Sequence, residues 1–245
     1  SVRRAIAEVR SECEELRKLD LNAWYLDDGI IGGDADTVLF AVNKFQEVGL
    51  PLGLVLNNSK CEVIGDPAFC ADVADRFTGL ATFRSWSDWS LLGTPCGNHA
   101  SASAFVDQVV DNACRRTRLV ARVGMEDPHV GFALLRLCCG FTLGVYYMRA
   151  LGDQAALRRL DEATLAAFCT MGVPVPMDKL VLLQLPIRHG GLGLRPTVPF
   201  APLALITSYH SSRKTVSRLV SDTATMYSEH FASALDSPTV TAFPS

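Results

Sequence analysis

The spacing of apolar and polar residues changes character near residue 99. Before it, short apolar runs are interleaved with helical stripes; after it, three- and four-residue apolar spacing dominates. Ile6, Val9, Cys13 and Leu16 predict a helix over residues 3–18. Two apolar runs then flank Asp27-Asp28-Gly29, and Asp-Gly between hydrophobic runs predicts a β-hairpin at about 22–33 with both carboxylates at its bend. Asp34 and Asp36 offer N-caps for a helix over 35–48, whose stripe is Val38, Leu39, Val42, Phe45 and Val48 and whose stop is Gly49. A strand at 53–56, a polar turn at Asn57-Asn58-Ser59, Lys60 and a strand at 61–64 follow. Residues 72–77 suit one or two helical turns, Phe83, Trp86 and Trp89 fit no period, and residues 91–97 read as a short strand or turn punctuated by Gly and Pro.

From residue 99 onward the pattern is helical. The first helix is expected at 100–122, with Phe105, Val109, Ala113, Leu119 and Val120 inside and Arg115, Arg116, Arg118 and Arg122 in its last turns. Asp127-Pro128 supplies a cap and a first-turn proline for a helix over 128–150. That segment is almost wholly apolar, but Arg136 lies at its middle. An arginine near mid-membrane costs about 2.5–3.5 kcal/mol on insertion scales, so a bundle helix is expected in place of a membrane span. Helices at 153–171, 177–185 and 199–220 follow, and a Ser-, Thr- and Pro-rich tail after 234 is expected to be loose.

These elements predict an α+β fold: a small antiparallel sheet with packed helices over 1–98, a helical bundle over 99–175, and a further helical region with its tail over 176–245. Apolar residues make up 49% of the chain and charged residues 20%, which excludes compositional disorder. The net charge of −3 is unevenly placed. Residues 1–114 hold 9 basic and 17 acidic side chains, and residues 115–245 hold 14 basic and 9 acidic. An acidic half with paired carboxylates followed by a basic half suits a metal site with a phosphate-binding extension better than chance asymmetry, the plainer alternative. None of the 8 cysteines forms a C-x-x-C pair, so free thiols in a reducing compartment are expected. No signal peptide stands at the start and no Met precedes Ser1, which suggests part of a longer, intracellular protein, nuclear or cytoplasmic.

Adjacent carboxylates repel unless they are solvated or bind cations. Mg²⁺ takes a few carboxylates together with waters and substrate phosphates, and two-metal phosphoryl transfer needs a carboxylate bridging both ions. Asp27 and Asp28 therefore read either as a metal-binding tip or as a solvated turn. Lys60 reads as a surface lysine or as a donor beside a leaving group. The four arginines suit nucleic-acid phosphates or a solvated helix end favoured by the dipole. Gly190-Gly191-Leu192-Gly193 lacks the spacing of a dinucleotide or P-loop motif.

The order of these features resembles the palm and thumb of non-LTR (LINE-type) retrotransposon reverse transcriptases. Tyr25-Leu26-Asp27-Asp28 is similar to the family's catalytic hairpin. Leu56-Asn57-Asn58-Ser59-Lys60 is similar to its next motif, and Leu91-Leu92-Gly93 to its primer grip. Residues 186–194 resemble a segment that follows the thumb. The resemblance implies an RNA-directed DNA polymerase that adds deoxynucleotides to a primer 3′-OH with two Mg²⁺ ions. Asp27 and Asp28 would serve as metal ligands, Lys60 as the candidate acid, and Tyr25, Leu92 and Gly93 as primer contacts. Arg115, Arg116, Arg118 and Arg122 would lie on the thumb. Its partners would be an RNA template, a DNA primer, deoxynucleoside triphosphates and the fingers and first palm portion of the same polyprotein.

The family's upstream metal-bridging Asp and its Gly-rich, Gln-containing segment have no counterpart before residue 22. The chain alone is therefore expected not to polymerise. The alternatives are a non-catalytic retroelement remnant or nucleic-acid-binding domain, and another palm nucleotidyltransferase such as an RNA-dependent RNA polymerase.

Overall fold

Strand β1 (Leu21–Tyr25) turns back through Leu26-Asp27 into β2 (Asp28–Gly32), pairing Tyr25 with Asp28 and Leu21 with Gly32. This is the computed structural model of the protein; it describes residues 19–151, 155–172, 174–219 and 235, and the chain divides into two units, 1–98 and 99–245. The helix expected at 3–18 lies outside the described residues, as does the tail after 234 apart from residue 235. The fold is α+β, and among the described residues the strands form three two-stranded sheets.

In the first unit, Asp34 caps α1 (Ala35–Gly49) by accepting from the Thr37 backbone N–H at 2.9 Å. Ala41, fully buried, packs with Leu19, Ile31, Phe45 and Val48, so α1 covers one face of the hairpin. As expected, α1 ends at Gly49, although Gly49 itself stays right-handed. The chain runs on through a 3-10 turn (Leu50–Leu52) and reverses at Gly53, whose φ of 74° only glycine adopts without strain. The strand expected at 53–56 is absent for that reason. Past the turn, Leu54, Val55 and Leu56 pair with no strand among the described residues, and Val55 is exposed.

Asn58–Lys60 form a second 3-10 turn before β3 (Glu62–Gly65). A short helix, α2 (Pro67–Val73), capped by Asp66, and a further 3-10 turn (Ala74–Phe77) then lead to β4 (Thr82–Ser85), which pairs with β3 in parallel. Residues 66–85, which showed little period in sequence, are thus a crossover that returns the chain alongside β3. Two residues each suffice for β5 (Ser90–Leu91) and β6 (Thr94–Pro95), joined by Leu92-Gly93.

The second unit is helical: α3 (His99–Glu126), α4 (Pro128–Cys138), α5 (Phe141–Ala150), α6 (Ala155–Thr170), α7 (Leu180–Gln184) and α8 (Ala201–Leu219). Val106, Val110, Ala113 and Cys114 of α3 pack on Ala156 and Leu160 of α6. Arg159 of α6 reaches across to Asp111 at 2.9 Å and Asp107 at 2.5 Å. Asp127 caps α4 as expected, accepting from the His129 and Val130 backbone N–H groups. Gly124 and Gly131 let the backbones of α3 and α4 touch, since a β-carbon at 131 would lie 2.3 Å from the Gly124 Cα.

The single helix expected over 128–150 is two helices. Gly140, with φ of 53°, separates them, and its missing side chain leaves room for Thr164, whose Oγ1 would lie 2.9 Å from a β-carbon there. By length and composition alone, Pro128–Ala150 is apolar enough to cross a membrane. Its buried members, Leu135, Cys139 and Met148, nevertheless pack inside this unit.

Residues after 175 share the same core. Leu183 and Leu194 cluster with Leu135 and Phe168, and Ala201 clusters with Met148 and Leu157. Fully burying each such leucine or methionine contributes about 1.5–3 kcal/mol. Asp161 fastens this later segment. Its carboxylate accepts from the Thr197 N–H at 2.6 Å, the Thr197 hydroxyl at 2.8 Å and the Val198 N–H at 3.1 Å.

Candidate functional site

Trp24 and Phe45 fix the carboxylate hairpin to its helix, with ring centroids 4.9 Å apart in an edge-on contact. The indole lies over Gly29, its paired residue, and its Nε1 donates to Asn22 Oδ1 at 2.8 Å. This corrects the expected position of the bend. Gly29 serves as the space beneath an indole, and the two-residue turn sits one step earlier, at Leu26-Asp27. Asp27 is in the turn and Asp28 opens β2.

That turn forces Leu26 to φ 57°, and the small hairpin forces Leu92 to φ 50°. They are the two non-glycine residues with positive φ among the described residues, and both hold the first central position of a hairpin turn. A left-handed conformation costs an L-residue with a side chain about 1–2 kcal/mol. Strain of this kind collects at functional sites. Sequence reading singled out both turns and missed their strain, because Gly or Asn ordinarily marks such positions.

Tyr25, Leu26, Asp27 and Asp28 all face solvent, Tyr25 at 63% and Leu26 at 75% exposure. No hydrogen bond or ion pair among the described residues engages either carboxylate, in contrast to Asp36, which pairs with Arg76. Lys60 is also exposed and ends a turn that is well fastened. Asn58 donates to the Gly79 carbonyl at 3.1 Å and accepts from Gln46 at 3.4 Å, and Ser59 donates to Asn57 at 2.7 Å. No bond joins Lys60 to Asp27 or Asp28, and Leu92-Gly93 belongs to a separate sheet. The sequence motifs therefore share one unit without forming one bonded cluster.

Among the described residues no three His, Cys, Asp or Glu side chains converge as a metal site. The donor set of Asp27 and Asp28 does not fit two bridged ions. One hydrated Mg²⁺, completed by substrate phosphates, is the most that two exposed carboxylates hold.

On the second unit, Arg115, Arg116, Arg118 and Arg122 are all exposed, and none is in an ion pair among the described residues. Arg115, Arg118 and Arg122, at helical spacing, share one face opposite buried Ala113, Thr117 and Ala121. Because α3 continues to Glu126, its last turn carries no cation. The dipole explanation for the arginines loses force, since that effect is confined to the final turn.

Burial pushes the Cys114 and Cys139 thiols above their usual range, so neither is a ready nucleophile. The seven described cysteines are free. Comparison with protein-family models, with curated proteins and with solved structures gives no match.

Proposed function

We propose that this chain is a palm-and-thumb portion of a reverse-transcriptase-like protein, pairing a carboxylate hairpin with a helical unit that grips nucleic-acid phosphates. The observation that carries the reading is the hairpin tip. Two carboxylates without partners among the described residues are held outward by a strained two-residue turn, on a strand pair anchored through Trp24 to Phe45. A tip that merely linked two strands would need neither the strain nor the adjacent charges. The row Arg115, Arg118 and Arg122 supports contact with a phosphate backbone. The complete reaction would be RNA-templated addition of deoxynucleotides to a primer 3′-OH using Mg²⁺. Among the described residues Asp27 and Asp28 are the donors at this tip, fewer than the two-ion geometry of that reaction needs.

The second reading, a nucleic-acid-binding domain without catalysis, is favoured by that short donor set. Both readings require the arginine face to bind. Fluorescence anisotropy with an RNA–DNA primer–template across a salt series tests it. Affinity should fall steeply with salt, and Arg115→Glu with Arg118→Glu should weaken binding and flatten the slope by roughly one unit per lost phosphate contact. Binding indifferent to both overturns the proposal. Primer extension by the chain alone should give no product; RNA-templated synthesis above background would show the donor set to be sufficient.

A further inference from the structure

A cavity of about 400 Å³ lies where α4 meets α5 in the second unit. Arg136, from the last turn of α4, and Arg195, from the segment before α8, both line it. Thr142 and Thr164 add hydroxyls, and Phe141 and Ile187 form apolar walls. No carboxylate is among the lining residues, and neither guanidinium has a carboxylate partner among the described residues. Arg159, by contrast, is held by two aspartates. Unlike the unpaired arginines on the α3 face, which are exposed, Arg136 is half-buried.

The local backbone serves the cavity. Residues 190–194 fold back on α7, with the Gly193 and Leu194 N–H groups donating to the Leu185 and Leu183 carbonyls at 2.9 Å each. Gly191 passes so close that a β-carbon would lie 2.1 Å from the Leu185 carbonyl oxygen. Gly193, with φ of 73°, keeps the floor open beside the Arg136 stem, whose Cδ would be 3.5 Å from any β-carbon there. Arg195 is steered over the Phe141 ring, 5.6 Å from its centroid, which places the second guanidinium at the same mouth. A partly buried arginine is costly without a counter-charge, and a guanidinium fork matches phosphate oxygens bidentately.

We infer that this cavity binds a phosphate group carried on a nucleotide-sized body, with Arg136 and Arg195 on the phosphate and the Phe141 and Ile187 walls against the body. Its volume falls in the range of roughly 300–1,000 Å³ usual for small-ligand pockets. Recognition is by side-chain guanidinium groups, unlike a glycine-rich backbone cradle. The phosphate has two possible sources, a free nucleotide or a nucleic-acid strand.

Isothermal titration of the full chain with orthophosphate, a deoxynucleoside monophosphate, the same nucleoside without phosphate, and a single-stranded oligonucleotide separates them. The monophosphate should bind and the bare nucleoside should not. Arg195→Gln should weaken binding about tenfold, the loss expected for a charge-assisted hydrogen bond. Binding of the oligonucleotide alone, with the same sensitivity to Arg195→Gln, supports the site with a strand phosphate as its ligand. Arg195 is exposed, so its variant keeps the fold even if Arg136→Gln does not. The monophosphate affinity should survive Arg115→Glu with Arg118→Glu, so the failure of one proposal leaves the other standing. No binding of any probe, or binding that Arg195→Gln leaves unchanged, overturns the site.

Discussion

Trp24 fills the space that a side chain at Gly29 would need: a β-carbon there would lie 2.5 Å from the indole. Gly29→Ala must therefore push the ring off Phe45 or bend the hairpin. The expected loss is about 1–3 kcal/mol, as for overpacking in a core. All 3 tryptophans lie before residue 99, so urea unfolding followed by intrinsic fluorescence reads this unit directly. An unchanged midpoint would mean that the indole is not fixed where it is described.

Leu26 and Leu92 offer the opposite experiment. Both are exposed, so Leu→Gly sacrifices little burial while removing the left-handed strain. Each substitution should stabilise the first unit by about 0.5–1 kcal/mol, even after the added freedom of the unfolded chain is subtracted. A shift of either midpoint to lower urea would show that the turns are relaxed with leucine in place.

Asp161 separates charge from hydrogen bonding. Burial raises its carboxyl above the usual aspartate range, against the bonds from Thr197 and Val198 that pull it down. Folding thus tightens its hold on the proton. Its titration contributes most below the ordinary value of 3.8 and is lost as pH rises through the folded value. Asp161→Ala should cost about 2–3 kcal/mol by stranding the Thr197 and Val198 donors; Asp161→Asn keeps an acceptor and should cost about 1. The stability of the parent chain relative to Asp161→Asn, measured by denaturant melts followed by circular dichroism, should fall as pH rises. A flat difference would rule out the charge contribution.

Cys138 and Cys139 are neighbours with opposite surroundings, the first exposed and the second 2% exposed in the core beside Leu135. Brief maleimide labelling with peptide mapping should modify Cys138 at least ~10-fold faster than Cys139, with the gap closing in urea. Equal rates in the native chain would argue against the described end of α4.

Much of this was legible because it is local. Asp34 and Asp127 cap helices where each stands before an apolar stripe or a first-turn proline. Asp66-Pro67 carries the same mark, yet the turns were expected later, at 72–77, and not at Pro67–Val73. The hairpin was legible too, yet its turn was offset, because Gly29 answers to an indole packed from the paired strand and not to the bend. Leu54-Val55-Leu56 has strand composition without a strand to pair with, and pairing is not a property of the segment itself. The break at Gly140 was hidden in a largely apolar run that also carries Gly131 and Gly144 inside its helices, so a glycine alone did not mark it. Candidate chemistry divided the same way. Asp27 and Asp28 are adjacent in sequence and were visible, whereas Arg136 and Arg195 meet only after α4 and the segment before α8 have packed.

The parallel pairing of β3 with β4 also sets an order of events during folding. Tyr25 and Asp28 find each other across two residues, while Glu62 and Thr82 meet only after about twenty residues have been looped back. Loop closure of that span must precede any gain from pairing, and hairpins form in roughly 1–10 μs. The segment bearing Asp27 and Asp28 is therefore expected to be native early, and the crossover through α2 to set the pace of the first unit.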